Sequence, residues 1–152
     1  MSKQVWNEEI GARFMERFPG LVEVEQESPQ TTLRLAQDAF LVVMKSLKDE
    51  WGFDFLADLT VVDTQDSFLC IYHLMSWSSC RMVRVKVEIP RENPRIPSLA
   101  ALWAAAEVQE REAYDMFGIV YDGHPHLKRI FLDEDFPGYP LRKDFQVPQR
   151  QR

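Results

Sequence analysis

Residues 81–89 read Arg-Met-Val-Arg-Val-Lys-Val-Glu-Ile, and the alternation in this stretch decides the predicted fold. Apolar residues occupy every second position from the third onward: Val83, Val85, Val87 and Ile89. A period of two buries one face of a strand and leaves the other in water, as in an antiparallel sheet with one covered face. Two more strand-like runs precede it, at residues 55–62 and 68–75. We therefore predict three neighbouring strands here.

Helical and strand-like patterns also lie on the N-terminal side of these strands. Apolar residues recur every fourth position over residues 6–18, which predicts a helix, at Trp6, Ile10, Phe14 and Phe18. Residues 21–27 and 32–35 then alternate, which predicts a hairpin with its turn at residues 28–30. A second helix is predicted to begin with Asp38 as its N-cap residue and to continue to Trp51.

A third helix is predicted on the C-terminal side, over residues 99–117, with Ser98 as N-cap and Gly118 at the C-terminus. The resulting order is helix, two strands, helix, three strands, helix. With short connections, this order predicts an α+β fold: a mostly antiparallel sheet with helices packed mainly on one face. A doubly wound parallel sheet would alternate strands and helices and would show a glycine-rich first turn, which the sequence lacks.

Composition excludes several classes of protein. The chain has 152 residues, which suits one domain, and its net charge of −6 argues against nucleic acid and against a polybasic membrane anchor. Two cysteines are too few for an iron–sulfur cluster of the chain's own. The sequence contains no apolar run of the roughly 20 residues that a membrane span needs. Residues 1–9 turn acidic where a signal peptide would turn apolar, so we expect a protein of the cytosolic side.

Residues 119–152, which we call the C-terminal arm, show no helical or strand periodicity. They contain four prolines and five aromatic residues, a composition unlike that of disordered segments. We therefore divide the chain into an α+β domain, residues 1–118, and an extended arm that binds a partner. Because the arm could equally wrap its own domain, both interpretations stay open at this point.

A dense group of charges leads into the arm: Glu110, Arg111, Glu112 and Asp115. In the predicted helix Glu110 lies on the apolar face, where an unpaired carboxylate would be costly. We therefore expect Glu110 to pair with a cation, and Arg142 and Lys143 of the arm are the candidates.

Catalytic and metal sites find little support in the residues. His124 and His126 are joined through a proline, and no cysteine or further histidine lies near to complete a tetrahedral metal set. We predict no catalytic, cofactor-binding or metal-ligating residue in this chain. A free-standing hydrolase that uses His124 with Glu112 or Asp115 is kept as an alternative of another class.

Five stretches of the sequence carry a resemblance to a known family. Residues 110–119 read Glu-Arg-Glu-Ala-Tyr-Asp-Met-Phe-Gly-Ile, followed by Gly-His-Pro at 123–125, Leu-Lys-Arg-Ile at 127–130, Asp135, and Pro-Leu-Arg-Lys-Asp-Phe at 140–145. This ordered signature resembles that of the C-type subunit of respiratory complex I, the NADH:quinone oxidoreductase, whose counterpart in cyanobacteria and plastids is designated J. Related chains occur in membrane-bound nickel–iron hydrogenases. One departure is residues 106–109, Ala-Glu-Val-Gln, where the family usually has an aromatic residue.

The resemblance implies a non-catalytic structural and assembly subunit of a proton-translocating NAD(P)H– or ferredoxin–quinone oxidoreductase. Its partners would be the D-type and B-type subunits of the complex, which hold the quinone site and the iron–sulfur clusters, while this chain holds no cofactor. The implied location is the cytoplasmic side of a bacterial inner or thylakoid membrane, peripheral through the hetero-oligomeric complex. An accessory role in a nickel–iron hydrogenase-type complex is the alternative. The residues expected to contact partners are Glu110, Arg111, Glu112, Asp115, His124, Arg129, Arg142, Lys143 and Asp144.

Overall fold

The structure is a computed structural model that describes residues 3–27 and 30–148, with side chains described from residue 9 onward except at residues 26 and 27. Three features of the sequence interpretation lie outside the described residues. These are the side chain of Trp6, the first two residues of the predicted hairpin turn, Ser28 and Pro29, and the end of the arm at residues 149–152.

The chain forms three helices and seven strands in the described part. The helices are α1 (Lys3–Arg17), α2 (Gln37–Asp49) and α3 (Ala106–Phe117); the strands are β1 (Val22–Glu27), β2 (Gln30–Leu35), β3 (Phe55–Asp63), β4 (Ser67–Ser76), β5 (Arg81–Pro90), β6 (Arg95–Pro97) and β7 (Val120–Asp122). Five strands form one sheet in the order β1-β2-β5-β4-β3, in which only the β2–β5 pair is parallel. Strands β6 and β7 pair in parallel beside it. The predicted α+β class with a mostly antiparallel sheet is confirmed.

The helices cover one face of the large sheet. Val83, Val85 and Val87 of β5 are fully buried on that face, as the alternation predicts. Two ring contacts place helices on the same face of β4. The ring centroids of Phe40 in α2 and Tyr72 are 5.3 Å apart, and those of Phe117 in α3 and Phe68 are 5.9 Å apart. The opposite face carries the charged side chains of β5 and bears no helix in the part of the chain that is described.

Two predicted helix starts are wrong. Helix α2 begins at Gln37, and its N-cap residue is Ala36 rather than Asp38. Helix α3 begins at Ala106, seven residues after the predicted start at Leu99. The reason is that the Ser98 hydroxyl and the Leu99 backbone N–H donate to the carboxylate of Glu110 in α3. Residues 99–105 instead form successive turns, anchored where the Trp103 indole N–H donates to the Phe53 carbonyl at 2.9 Å.

The beginning of the arm belongs to the packed part of the molecule. Strand β7 pairs with β6 through residues 120–122, so this part of the arm has regular structure that the sequence did not reveal. Ile119 and Tyr121 are almost fully buried in the core. Among the described helices, none is both long and apolar enough to cross a membrane.

Candidate functional site

The arm lies back on its own domain, and Asp115 makes the central contact. Asp115 is fully buried in α3, and its Oδ2 accepts hydrogen bonds from three successive backbone N–H groups of the arm, at Ile130 (3.2 Å), Phe131 (2.8 Å) and Leu132 (3.1 Å). Three donors on one carboxylate oxygen fix the backbone of this loop. They also offset the free-energy cost of burying the carboxylate.

Arg129 lies beside this contact and fastens a second part of the arm. One of its terminal nitrogens, Nη1, is 3.4 Å from Asp115 Oδ1, and the other, Nη2, donates to the Gly138 carbonyl at 2.8 Å. The guanidinium lies over the rings of Phe136 and Tyr139, 5.7 and 5.0 Å from the ring centroids. Arginine suits this position because its planar cation can stack on rings and donate in-plane at the same time.

Arg111 holds the same loop from the surface of α3. Its guanidinium donates to the carbonyls of Lys128 (3.1 Å) and Arg129 (3.2 Å). Arg111 and Asp115 stand four residues apart on one helix face, so one side chain binds the loop's carbonyls and the other binds its N–H groups. Glu112, between them, is partly buried.

Arg142 attaches the next part of the arm to the end of α3. Its Nε donates to the Phe117 carbonyl at 2.6 Å, and the guanidinium lies over the rings of Phe68 and Tyr139. The backbone N–H of Leu141 donates to the Met116 carbonyl at 3.1 Å. The last carbonyls of a helix have no partner within the helix, and the arm supplies donors for two of them here.

The last described contacts of the arm lie at the β3–β4 turn. Asp63 accepts from the Lys143 backbone N–H at 2.8 Å and also pairs with Arg91, whose other nitrogen lies 2.9 Å from Asp144. Burial by itself would raise the pKa of the Asp63 carboxyl, but the hydrogen bonds from Arg91, Lys143 and Gln65 hold that pKa at about 2.

Glu110 has partners other than those predicted. It is fully buried, and its two carboxylate oxygens accept from the Leu99 backbone N–H and from the Ser98 hydroxyl, both at 2.6 Å. The predicted pairing with Arg142 or Lys143 is wrong, because Arg142 binds Phe117 and Lys143 binds Asp63 through its backbone. Burial raises the pKa of the Glu110 carboxyl, against the lowering effect of its two hydrogen bonds.

The His124 ring joins the backbone of α3 to the backbone of the arm through hydrogen bonds. Its Nδ1 accepts from the His126 backbone N–H at 2.9 Å, so the ring proton lies on Nε2, which is 2.8 Å from the Glu107 carbonyl. With both ring nitrogens bonded to backbone and Asp115 occupied by the arm, the geometry does not form the base that a hydrolase would need. Among the described side chains, those of residues 9–25 and 30–148, no group of three from His, Cys, Asp or Glu could hold a metal ion.

The charged residues thus bind the arm to the domain, and the arm turns apolar side chains outward. Phe131 is 64% exposed, Leu141 56% and Val147 79%, and Ile130 is also exposed. The predicted partner contacts are charged residues and His124 and do not include these four side chains, although Phe131 is one of the aromatic residues that led to the prediction of a partner-binding arm. The signal was present: apolar side chains in a segment without periodicity have no predicted core face to bury them.

Comparison with known proteins gives a consistent set of relatives. The family described as the 30 kDa subunit of the respiratory-chain NADH dehydrogenase matches residues 33–151. The C-type subunit of NADH-quinone oxidoreductase from Moorella thermoacetica is 48% identical over 132 residues, covering 86% of this chain and 88% of the relative. The protein of the same name from Citrifermentans bemidjiense is 39% identical over 151 residues, with 95% and 94% covered.

Two solved structures share the fold. A trypsin-resistant fragment (1–134) of Nqo5 has a TM-score of 0.67 at 34% identity, covering 76% of this chain and 98% of the fragment. A chain of the membrane-bound sulfane sulfur reductase, an archaeal respiratory membrane complex, has a TM-score of 0.79 at 26% identity, with 93% and 86% covered.

Proposed function

This chain belongs to the family of the 30 kDa subunit of the respiratory-chain NADH dehydrogenase, and from that membership we propose that it is a structural and assembly subunit of a quinone oxidoreductase complex. It catalyses no step itself. Its place is in the hydrophilic part of a proton-translocating NAD(P)H– or ferredoxin–quinone oxidoreductase complex. Its contribution is a rigid surface on which cofactor-bearing subunits dock.

One observation carries this proposal: the arm is fastened to the domain and yet exposes large apolar side chains. Phe131 and Leu141 are well exposed, although the backbone at both residues is hydrogen-bonded to α3. A surface that is ordered before binding loses little conformational entropy when a partner docks. Exposed aromatic and aliphatic side chains on such a surface are the usual anchors of a protein interface.

The charged residues of the signature have two roles in this proposal. Asp115, Arg129, Arg111 and Arg142 shape the arm from within, and so act on assembly through the arm's conformation. Exposed charges at the margin, such as Lys143 and Asp144, lie where a polar rim around the apolar anchors would be. Glu110 and His124 stabilise the junction between α3 and the turns beside it.

The partners in this proposal are the D-type and B-type subunits of the complex, which hold the quinone site and the iron–sulfur clusters. The chain would then lie on the cytoplasmic side of a bacterial inner or thylakoid membrane and reach the membrane through the other members of a hetero-oligomer. The 48% identity to a subunit of an NADH-quinone oxidoreductase supports this assembly.

A related membrane complex that does not reduce quinone, such as a nickel–iron hydrogenase-type assembly, is the second candidate. The similarity to a chain of the sulfane sulfur reductase favours keeping it, because that respiratory membrane complex contains the same fold. The neighbouring genes separate the two candidates. Genes for many membrane subunits of a quinone oxidoreductase support the first, and maturation genes for a nickel–iron site support the second.

The test is a mild-detergent pull-down of the tagged full chain from its own host, with the co-purifying subunits identified. Phe131→Ser and Leu141→Ser should each reduce recovery of cluster-bearing subunits without lowering the stability of the isolated chain. Trp77→Ser is the matched control, since Trp77 is 63% exposed, as much as Phe131, but lies at the β4–β5 turn away from the arm. Unchanged recovery with both arm variants would refute docking through the arm.

A further inference from the structure

A cleft of about 290 Å³ opens on the arm itself, between residues 137–139 and residues 142–146. The ring of Tyr139 and the ring of Phe145 form apolar parts of its wall, and Arg142 and Asp144 supply the charged groups. Phe145 is held in place by stacking on Phe136, with ring centroids 5.9 Å apart. One wall of the cleft is therefore held by a contact within the arm.

The positive charge of Arg142 is not balanced within the described part of the chain. Of the five N–H donors of its guanidinium, the Nε–H has an acceptor, the Phe117 carbonyl, and no carboxylate among the described side chains, those of residues 9–25 and 30–148, pairs with it. The rings of Phe68 and Tyr139 contact its faces and leave the in-plane donors of its terminal nitrogens for another group.

The acidic group of the cleft, Asp144, already has a cationic partner, which it shares with Asp63. Asp144 lies 2.9 Å from Arg91, which also pairs with Asp63. The cationic group that lines the cleft is therefore Arg142, and its terminal N–H donors are what a ligand would bind. A guanidinium flanked by aromatic rings matches a planar carboxylate carried on a short aliphatic stem, because the carboxylate accepts two parallel N–H bonds while the stem contacts the rings.

We propose that this cleft receives an aspartate or glutamate side chain of the protein that docks on the arm. The inference rests on the proposed docking function and names the group that the docking surface recognises. It follows from the open donors of the Arg142 cation and from position, since Leu141 and Val147, which are exposed, are the sequence neighbours of the lining residues Arg142 and Gln146. The apolar residues would supply contact area, and the cleft would fix the orientation of the partner.

The experiment is a titration of the full-length chain, labelled with ¹⁵N, with N-acetyl-glutamate N-methylamide and with its neutral glutamine counterpart. The glutamate compound should shift the Arg142 Nε–H signal and the backbone signals of Gly138 and Phe145 in a saturable way, and added salt should weaken the effect. The glutamine compound should leave them unshifted. Equal shifts with both compounds, or shifts spread over all arginines, would overturn the proposal.

Two further measurements keep the test decisive. Arg142→Lys retains the charge but loses the planar fork, so it should weaken binding of the glutamate compound severalfold; retained protection of the Lys143 amide would show that the arm is still folded. Inorganic phosphate serves as a second probe, and binding as strong as that of the glutamate compound would overturn the assignment to a carboxylate. Failure of these titrations, with Phe131→Ser still impairing assembly, would remove this inference and leave the proposed function intact.

Discussion

Asp115 and Arg129 face each other at the junction of α3 and the arm, with Asp115 Oδ1 3.4 Å from Arg129 Nη1 and side-chain exposures of 0% and 9%. Both charges are removed from water, which costs several kcal/mol per ion before any pairing. The arm offsets that cost by donating three backbone N–H groups to Asp115 and by offering the Gly138 carbonyl to Arg129. Removing either partner would leave the other charge buried without its counter-charge.

Asp115→Ala should therefore lower the free energy of unfolding by about 3 to 5 kcal/mol, the cost of breaking a buried pair by deleting one member. Urea unfolding of the isolated chain measures it. Glu107→Ala is the control, because Glu107 is exposed on the same helix and its replacement should change stability by no more than about 0.5 kcal/mol. Equal losses in the two variants would contradict the role assigned to Asp115.

Gly118→Ala should loosen the arm beyond the effect of backbone strain alone. Gly118 has φ +78°, and an added Cβ would lie 2.6 Å from the Tyr139 ring and 2.8 Å from Arg142 Nη2. Gly123 has φ +85° but open space around an added Cβ, so Gly123→Ala measures the strain by itself, about 1 kcal/mol. We expect a larger stability loss and faster amide exchange at Lys143 in Gly118→Ala only. Matching behaviour in both alanine variants would show that the contact with the arm is unimportant.

The five strands of the large sheet could be predicted from the sequence because their burial is periodic and local. Residues 81–89 alternate cleanly, and the strand formed by them alternates in burial as predicted. The start of α3 could not be predicted in this way. The apolar spacing of Leu99 and Trp103 is compatible with a helix, and both are buried, but the carboxylate of Glu110 binds the Leu99 N–H from outside the local segment. A tertiary hydrogen bond of this kind leaves no periodic signal.

The candidate site was found in the sequence by its charges, yet the direction in which those charges point depends on the fold. Asp115 and Arg142 face inward because the arm returns to α3, and that return is set by β7 pairing with β6 and by Asp63, which lies 80 positions before Lys143. Contacts across such a separation depend on the whole fold rather than on neighbouring residues. The exposed apolar side chains of the arm become recognisable only once that path is known.

Glu110→Gln should remove a pH dependence of stability. Burial raises the folded-state pKa of Glu110 above its ordinary value of 4.5, so the folded chain binds this proton more tightly than the unfolded chain. The stabilisation is present below pH 4.5 and is lost as pH rises through the folded-state pKa. Glutamine can still accept from the Leu99 N–H and can donate to Ser98.

The measurement is the difference in unfolding free energy between the parent chain and Glu110→Gln at a series of pH values. The parent chain should become less stable relative to the variant as pH rises above 4.5. Glu112→Gln, a change of the same kind on the same helix, should give a difference that does not follow this trend. A Glu110→Gln difference that stays level, or that grows in favour of the parent chain, would show that the carboxyl is not disfavoured as an anion.

Asp63 should make the arm sensitive to acid, with the opposite sign. Its folded-state pKa of about 2 lies below its ordinary value of 3.8, so its stabilisation is complete above pH 3.8 and is lost as pH falls toward 2. Because Asp63 accepts from the Lys143 N–H and pairs with Arg91, which also binds Asp144, the end of the arm should be released first.

Asp63→Asn should show weaker protection of the Lys143 amide at neutral pH, and the difference from the parent chain should vanish near pH 2. Asp66→Asn, in the same turn and exposed, is the control and should behave like the parent chain throughout. If the parent chain and Asp63→Asn lost protection of Lys143 at the same pH, the Asp63 contact would not be what fastens the end of the arm.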